Sequence, residues 1–190
     1  VGDPNHSATV GDVALAGGQI RANEALSGTI NHALAVTTSC GDPSVYVYPA
    51  QQHFDDPCTG GPPNGAHFWS DLTDAQVDAL TLSGTAQDQT WQRAILKALH
   101  HYGAYLMDSG VASTRSKAPQ FQFESGWQYN SFGNEDPWVT IAKNNGWTVG
   151  STLGSTTYTF ADSWNPLAAV GGWSGGHIHI VAECYAKQTC

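Results

Sequence analysis

Apolar positions along the chain form short clusters whose spacing switches between two periods. Ile30, His32, Leu34 and Val36 occupy every second position of 29–36, which predicts a strand with one core-facing side and sets His32 among the inward positions. Val45-Tyr46-Val47-Tyr48 predicts a second strand, stopped by Pro49, and His67-Phe68-Trp69 a third. Residues 71–80 predict a helix with Thr73 as N-cap, Gln76 at capping-box spacing and acids in the first turn. A clearer helix covers 89–102, where Trp91, Ile95, Leu96 and Leu99 form one apolar stripe before Gly103. Residues 104–108 then predict a strand ending in Asp108 before Ser109-Gly110, and 121–124 alternates up to Glu124 before Ser125-Gly126. Asp136 as N-cap and Pro137 at the first position predict a helix to Lys143, and 177–184 predicts the last strand. Short strands, Gly-rich turns and about three helical insertions together predict a mainly β fold, a β-sandwich or jelly-roll.

Length and charge narrow the functional classes. The 190 residues predict a single domain, 1–190. Seven Lys+Arg stand against 16 Asp+Glu, a net charge of −9, and no basic stretch occurs, so nucleic acid is not an expected partner. Nor is a membrane, since no apolar run approaches the roughly 18–20 residues of a span. Sparse charge together with 21 Gly, 7 Trp and 7 Tyr suits an extracellular domain. The cysteines, Cys40, Cys58, Cys184 and Cys190, lack zinc-finger spacing and predict a disulfide-stabilised, secreted protein. Four cysteines allow three connectivities; Cys40–Cys58 with Cys184–Cys190 closes the shortest loops. The chain begins Val1-Gly2-Asp3-Pro4 without a Met or signal-peptide pattern, so removal of an upstream signal or of a larger N-terminal part is expected. A sandwich lacking N-terminal strands would expose sheet edges, which another chain or the rest of its own precursor would then have to cover.

Three stretches carry a family resemblance: 18–24 leading into 28–34, then 102–110, and Glu124-Ser125-Gly126 followed by 129–137. They resemble the C-terminal half of a group of secreted, mainly actinobacterial proteins. The resemblance spans most of 17–140 and ends with the 177–184 strand. It implies secretion and a longer precursor; it transfers no catalytic residue.

Candidate chemistry comes from three residue sets. Asp108 and Glu124 each end a strand before a Ser-Gly turn, positions that project toward a loop-lined cleft. Glycoside hydrolysis needs two such carboxyl groups, about 5–5.5 Å apart for retention or about 6.5–9.5 Å for inversion. These two acids are therefore the expected catalytic pair, the alternative being that both accept hydrogen bonds from the adjoining turn amides. In the second set, His177-x-His179 puts two rings on one strand face, and His32 could complete a zinc or copper site; the alternative is half-exposed strand histidines and a satisfied core histidine. No cofactor is otherwise expected. In the third set, Trp127, Trp164 and Trp173 lie beside Gly, Ser or Asn in loop-rich segments and are the expected glycan-stacking residues, whereas Trp91 and Trp138 read as core. No Gly-x-Ser-x-Gly elbow, dinucleotide fingerprint or P-loop occurs. The leading expectation is a secreted glycoside hydrolase acting on an extracellular glycan. A non-catalytic glycan-binding or self-assembling protein and a His-centred metalloenzyme are the alternatives.

Overall fold

The computed structural model of the protein describes residues 9, 11–54, 60–109, 119–152, 155–159 and 166–181. Their elements, in chain order, are α1 (Ala22–Ser27), β1 (Leu34–Thr38), β2 (Asp42–Tyr46), β3 (Pro63–Asn64), β4 (His67–Ser70), α2 (Asp74–Ala79), α3 (Ala86–His101), β5 (Ala104–Ser109), β6 (Gln120–Phe121), α4 (Trp127–Ser131), α5 (Pro137–Asn144), β7 (Thr148–Thr152), β8 (Ser155–Thr159) and β9 (Ile178–Ile180). One five-stranded sheet in the order β6-β1-β5-β4-β9 organises the molecule; β2-β3 and β7-β8 are separate two-stranded ribbons. β1 and β5 run parallel at its centre, and β6, β4 and β9 join antiparallel.

This corrects the mainly β expectation: the fold is mixed α/β, and among the described residues no second sheet packs on the first to make a sandwich or jelly-roll. The reason lies in α3. Its stripe of Trp91, Ile95, Leu96 and Leu99 is fully buried, and Ile95, Leu96 and Leu99 share a core with Leu34, Val36, Phe68, Ala104 and Leu106 of the sheet. A sheet needs one apolar layer against its buried face, and a helix stripe supplies it as well as a sheet does. β1 departs from strict alternation for a related reason. Leu34, Ala35 and Val36 are all buried, because the strand is central and covered on both sides. Gly18 fits against the edge of β1 on its β6 side: its carbonyl accepts from the Ala35 N–H at 2.7 Å, and a Cβ at Gly18 would lie 2.9 Å from that of Ala35.

Of the four cysteines only Cys40 lies among the described residues, and it is disulfide-bonded. Cys58, Cys184 and Cys190, and with them the predicted Cys40–Cys58 and Cys184–Cys190 pairing, lie outside the described residues. A second, aromatic core packs beside the first. Trp91 stacks on Trp147 with ring centroids 5.2 Å apart and on Trp138 at 6.0 Å, and Phe123 meets Trp138 edge-on at 5.3 Å. Ala22, Ala25, Ile141 and Ala142 close this cluster, which joins α1 and α5 to α3.

Helix termini follow the local sequence. Thr73 and Gln76 form the predicted capping box of α2, the Thr73 N–H donating to Gln76 Oε1 at 2.9 Å. α3 begins before the predicted Gln89, because Thr85 and Asp88 make a second box there; Asp88 Oδ2 accepts from the Thr85 N–H at 2.8 Å. Asp136 caps α5 by accepting from the Trp138 N–H at 2.9 Å, with Pro137 at the first position as predicted. No helix among the described residues is long and apolar enough to cross a membrane.

Candidate functional site

The two predicted catalytic acids are not brought together. Asp108 is level with Thr37, at the C-terminal end of β1. Gln122 N–H donates to Ala35 O, so the chain after β6 runs back along β1 toward its other end, and there the Glu124 N–H donates to Ile20 O. From Thr37 to the level of Glu124 the strand rise alone, about 3.3 Å per residue, amounts to roughly 10 Å or more. Two strand spacings add to it across the sheet. That separation exceeds the reach of a glycosidase pair.

Glu124 instead joins a polar cluster at the start of α1. Its Oε1 accepts from the Ala22 N–H at 2.7 Å and from the Tyr129 hydroxyl at 3.0 Å, while Trp138 Nε1 donates to its carbonyl at 3.1 Å. The carboxylate beside the Tyr129 hydroxyl pushes that phenol above its ordinary range. The first helical N–H is thus an amide partner of this carboxylate. His32 sits in the same region: Nδ1 lies 2.9 Å from Ala33 O and Nε2 3.1 Å from Glu24 Oε1, whose carboxylate also meets the Arg21 guanidinium at 3.3 Å. His32 is committed there and does not converge with His177 and His179. Among the described residues no group of three or more His, Cys, Asp or Glu could hold a metal ion.

His177 and His179 lie at the far edge of the sheet, on its open face. Register pairs His67 with Tyr105, and Trp69 with His179. Because strand side chains alternate, these residues point away from α3, whereas Phe68 and Ser70 point into the core. The result is a strip of rings across three strands. His67 lies parallel to Tyr105 with centroids 4.4 Å apart, and Trp69, 38% exposed, meets His179 at 5.4 Å. Gly103, with φ of +72°, leaves room for this: a Cβ there would collide with His67 Nε2. Burial holds the His67 imidazole below its ordinary value, so the ring stacks uncharged near neutral pH.

Asp71 finishes the strip. His177 Nδ1 donates to Asp71 Oδ1 at 2.9 Å and His179 Nε2 to Asp71 Oδ2 at 3.0 Å, with all three side chains 41–46% exposed. These two bonds, His179 first, hold the Asp71 carboxyl below the usual carboxylate range. One carboxylate therefore fixes the orientation of two imidazoles beside an exposed indole.

The predicted stacking tryptophans fare differently. Trp173 is partly buried against Phe68 at 5.1 Å and Phe121 at 5.5 Å, on the core side of the sheet. Trp164 and the side chain of Trp127, which opens α4, lie outside what is described. Sequence reasoning assigned Tyr105 and Asp71 no site role and did not single out Trp69 or His67 from the other indoles and loop histidines. The available signal was phase: in His67-Phe68-Trp69-Ser70 and His177-Ile178-His179, one alternation carries only aromatic rings.

No family model matches the chain, and neither a curated protein nor a solved structure shows significant similarity to it.

Proposed function

We propose that the protein is an extracellular carbohydrate-binding protein whose site is the exposed strip of β4, β5 and β9 on the sheet face away from α3. The carrying observation is the strip of Tyr105, His67, Trp69 and His179, a half-exposed aromatic surface held rigid by strand pairing and ending in a fixed polar cluster. A sugar ring presents an apolar C–H face to an indole and hydroxyls at its rim, and this surface offers both partners. Charge argues for a neutral ligand. The described basic residues are Arg21, Arg93, Lys97 and Lys143, at the start of α1, on α3 and on α5, and none is on β4, β5 or β9. A single-stranded nucleic acid would need cations along such a platform. The resemblance to secreted proteins supports the compartment. Hydrolysis by Asp108 and Glu124 draws no support from their positions at opposite ends of β1.

Binding to an array of neutral oligosaccharides tests this reading. Trp69→Ala is expected to weaken binding at least tenfold, about 1.4 kcal/mol, with an unchanged unfolding midpoint because the side chain is exposed. Glycan binding indifferent to Trp69→Ala, or no binding by the wild type, would overturn it.

A further inference from the structure

The Asp71–His177–His179 cluster has an unusual donor and acceptor pattern. Each imidazole already gives one N–H to the Asp71 carboxylate, so in a neutral ring the other nitrogen, Nε2 of His177 or Nδ1 of His179, holds a lone pair. With both rings neutral, the cluster carries one negative charge and its free ring nitrogens accept hydrogen bonds. With both protonated, it carries one positive charge and the same nitrogens donate. Only the solvent-side nitrogens change role, since Asp71 accepts from the same two atoms in either state. The half-exposed rings leave this proton exchange open to solvent.

We propose that this cluster is the specificity-determining half of the sugar platform: with neutral imidazoles it takes neutral glycans through their hydroxyl donors, and with imidazoliums it takes glycans bearing carboxylates. The inference rests on the platform reading above. It follows from the chemistry of the rim, because a uronate oxygen opposite a lone pair and beside Asp71 is repelled, whereas opposite two imidazolium donors it forms charge-assisted hydrogen bonds.

Among the described residues, the surrounding groups leave the cluster to set the sign. On β4, His67 is held neutral by burial and stacked on Tyr105 of β5. Asp74 at the start of α2 is paired with His101 of α3 at 3.0 Å, and His100 Nδ1 faces Ser70 O at 3.1 Å. Asp71 supplies the charge next to His177 and His179, and its depressed titration keeps it ionised. Histidine changes charge between about pH 5 and 8, a range in which sugar carboxylates stay ionised. The ligand is thus constant across the switch and only the protein titrates.

The test compares a neutral cello-oligosaccharide with an oligogalacturonate by calorimetry at pH about 7.5 and about 5, using wild type, Trp69→Ala, and the double variant His177→Gln with His179→Gln. The uronate-to-neutral affinity ratio is expected to rise about tenfold or more on acidification in the wild type, as a change of two charges at the rim requires. The rise is expected to vanish in the double variant, whose affinity for both ligands falls at either pH because His179 belongs to the platform, so that the ratio and not the affinity is the readout. A ratio unchanged by pH, with both ligands still sensitive to Trp69→Ala, would overturn the switch and leave the platform standing. So would a pH-dependent ratio that survives in the double variant. Binding of neither ligand, or binding insensitive to Trp69→Ala, would overturn both readings. Because both histidines are exposed, the amide spectrum of the double variant is expected to match that of the wild type, and a match ensures that its result reports on the site.

Discussion

At the scale of single residues, position on the sheet decides what each histidine can do. His67 is the inner one, stacked on Tyr105 and partly desolvated, and its folded value lies below the ordinary 6.5. Between those two values the unfolded chain binds more protons than the folded one, so stability contributed at His67 rises with pH. It is complete above the ordinary value and is lost as pH falls toward the depressed folded one. His67→Gln is therefore expected to flatten the acid side of the stability profile, measured as the urea midpoint at pH about 5 against about 7.5. Parallel profiles for the two proteins would mean that desolvation at His67 is not what disfavours its charge. His32 shows the contrast: both its nitrogens are engaged with oxygen atoms, one of the backbone and one of Glu24, so it anchors structure while His177 and His179 each turn a ring edge to solvent.

Elements were legible where the signal was local. Thr73 with Gln76, Asp136 with Pro137, and the apolar stripe of α3 each lie within one helical turn or face, and each produced the helix expected of it. The fold class was not legible, because a layer's partner is chosen by tertiary packing. Ile30 is buried as a strand pattern demands yet precedes β1, and the three consecutive buried residues of β1 reflect a parallel central position that alternation cannot express. α1 was missed for a similar reason. It has only six residues, too few to be stable alone, and a residue 102 positions away completes its first turn, Glu124 accepting from Ala22 N–H. Glu124→Ala leaves that N–H and the Tyr129 hydroxyl without their acceptor and is expected to cost about 1–3 kcal/mol, whereas Glu124→Gln retains an acceptor and is expected to cost about 1 kcal/mol or less. Equal denaturant midpoints for the two variants would remove Glu124 from the support of α1.

On the scale of the whole molecule, the candidate site exists only through register. Its rings come from β4, β5 and β9, and its carboxylate from the turn after β4, segments that pairing alone makes neighbours. Sequence could mark each as aromatic or acidic but not their shared face, which depends on β4 lying between β5 and β9. The same topology segregates charge. Lys97 pairs with Asp78 at 2.8 Å and Lys143 with Glu135 at 2.9 Å, both remote from the strip, while the strip's own carboxylate is Asp71. Net charge of −9 therefore sets a repulsive background for polyanions, with no local cationic patch among the described residues to offset it. Stacking and neutral hydrogen bonds release no condensed counterions, in contrast with phosphate contacts, whose affinity falls steeply with salt. At pH about 7.5, affinity for a neutral oligosaccharide is accordingly expected to change less than about twofold between roughly 0.05 and 0.5 M salt, with no measurable binding of single-stranded DNA. Strong salt dependence of the glycan affinity would place an ionic contact in the site and would contradict a platform built on Trp69, because an indole face has no charge for salt to screen.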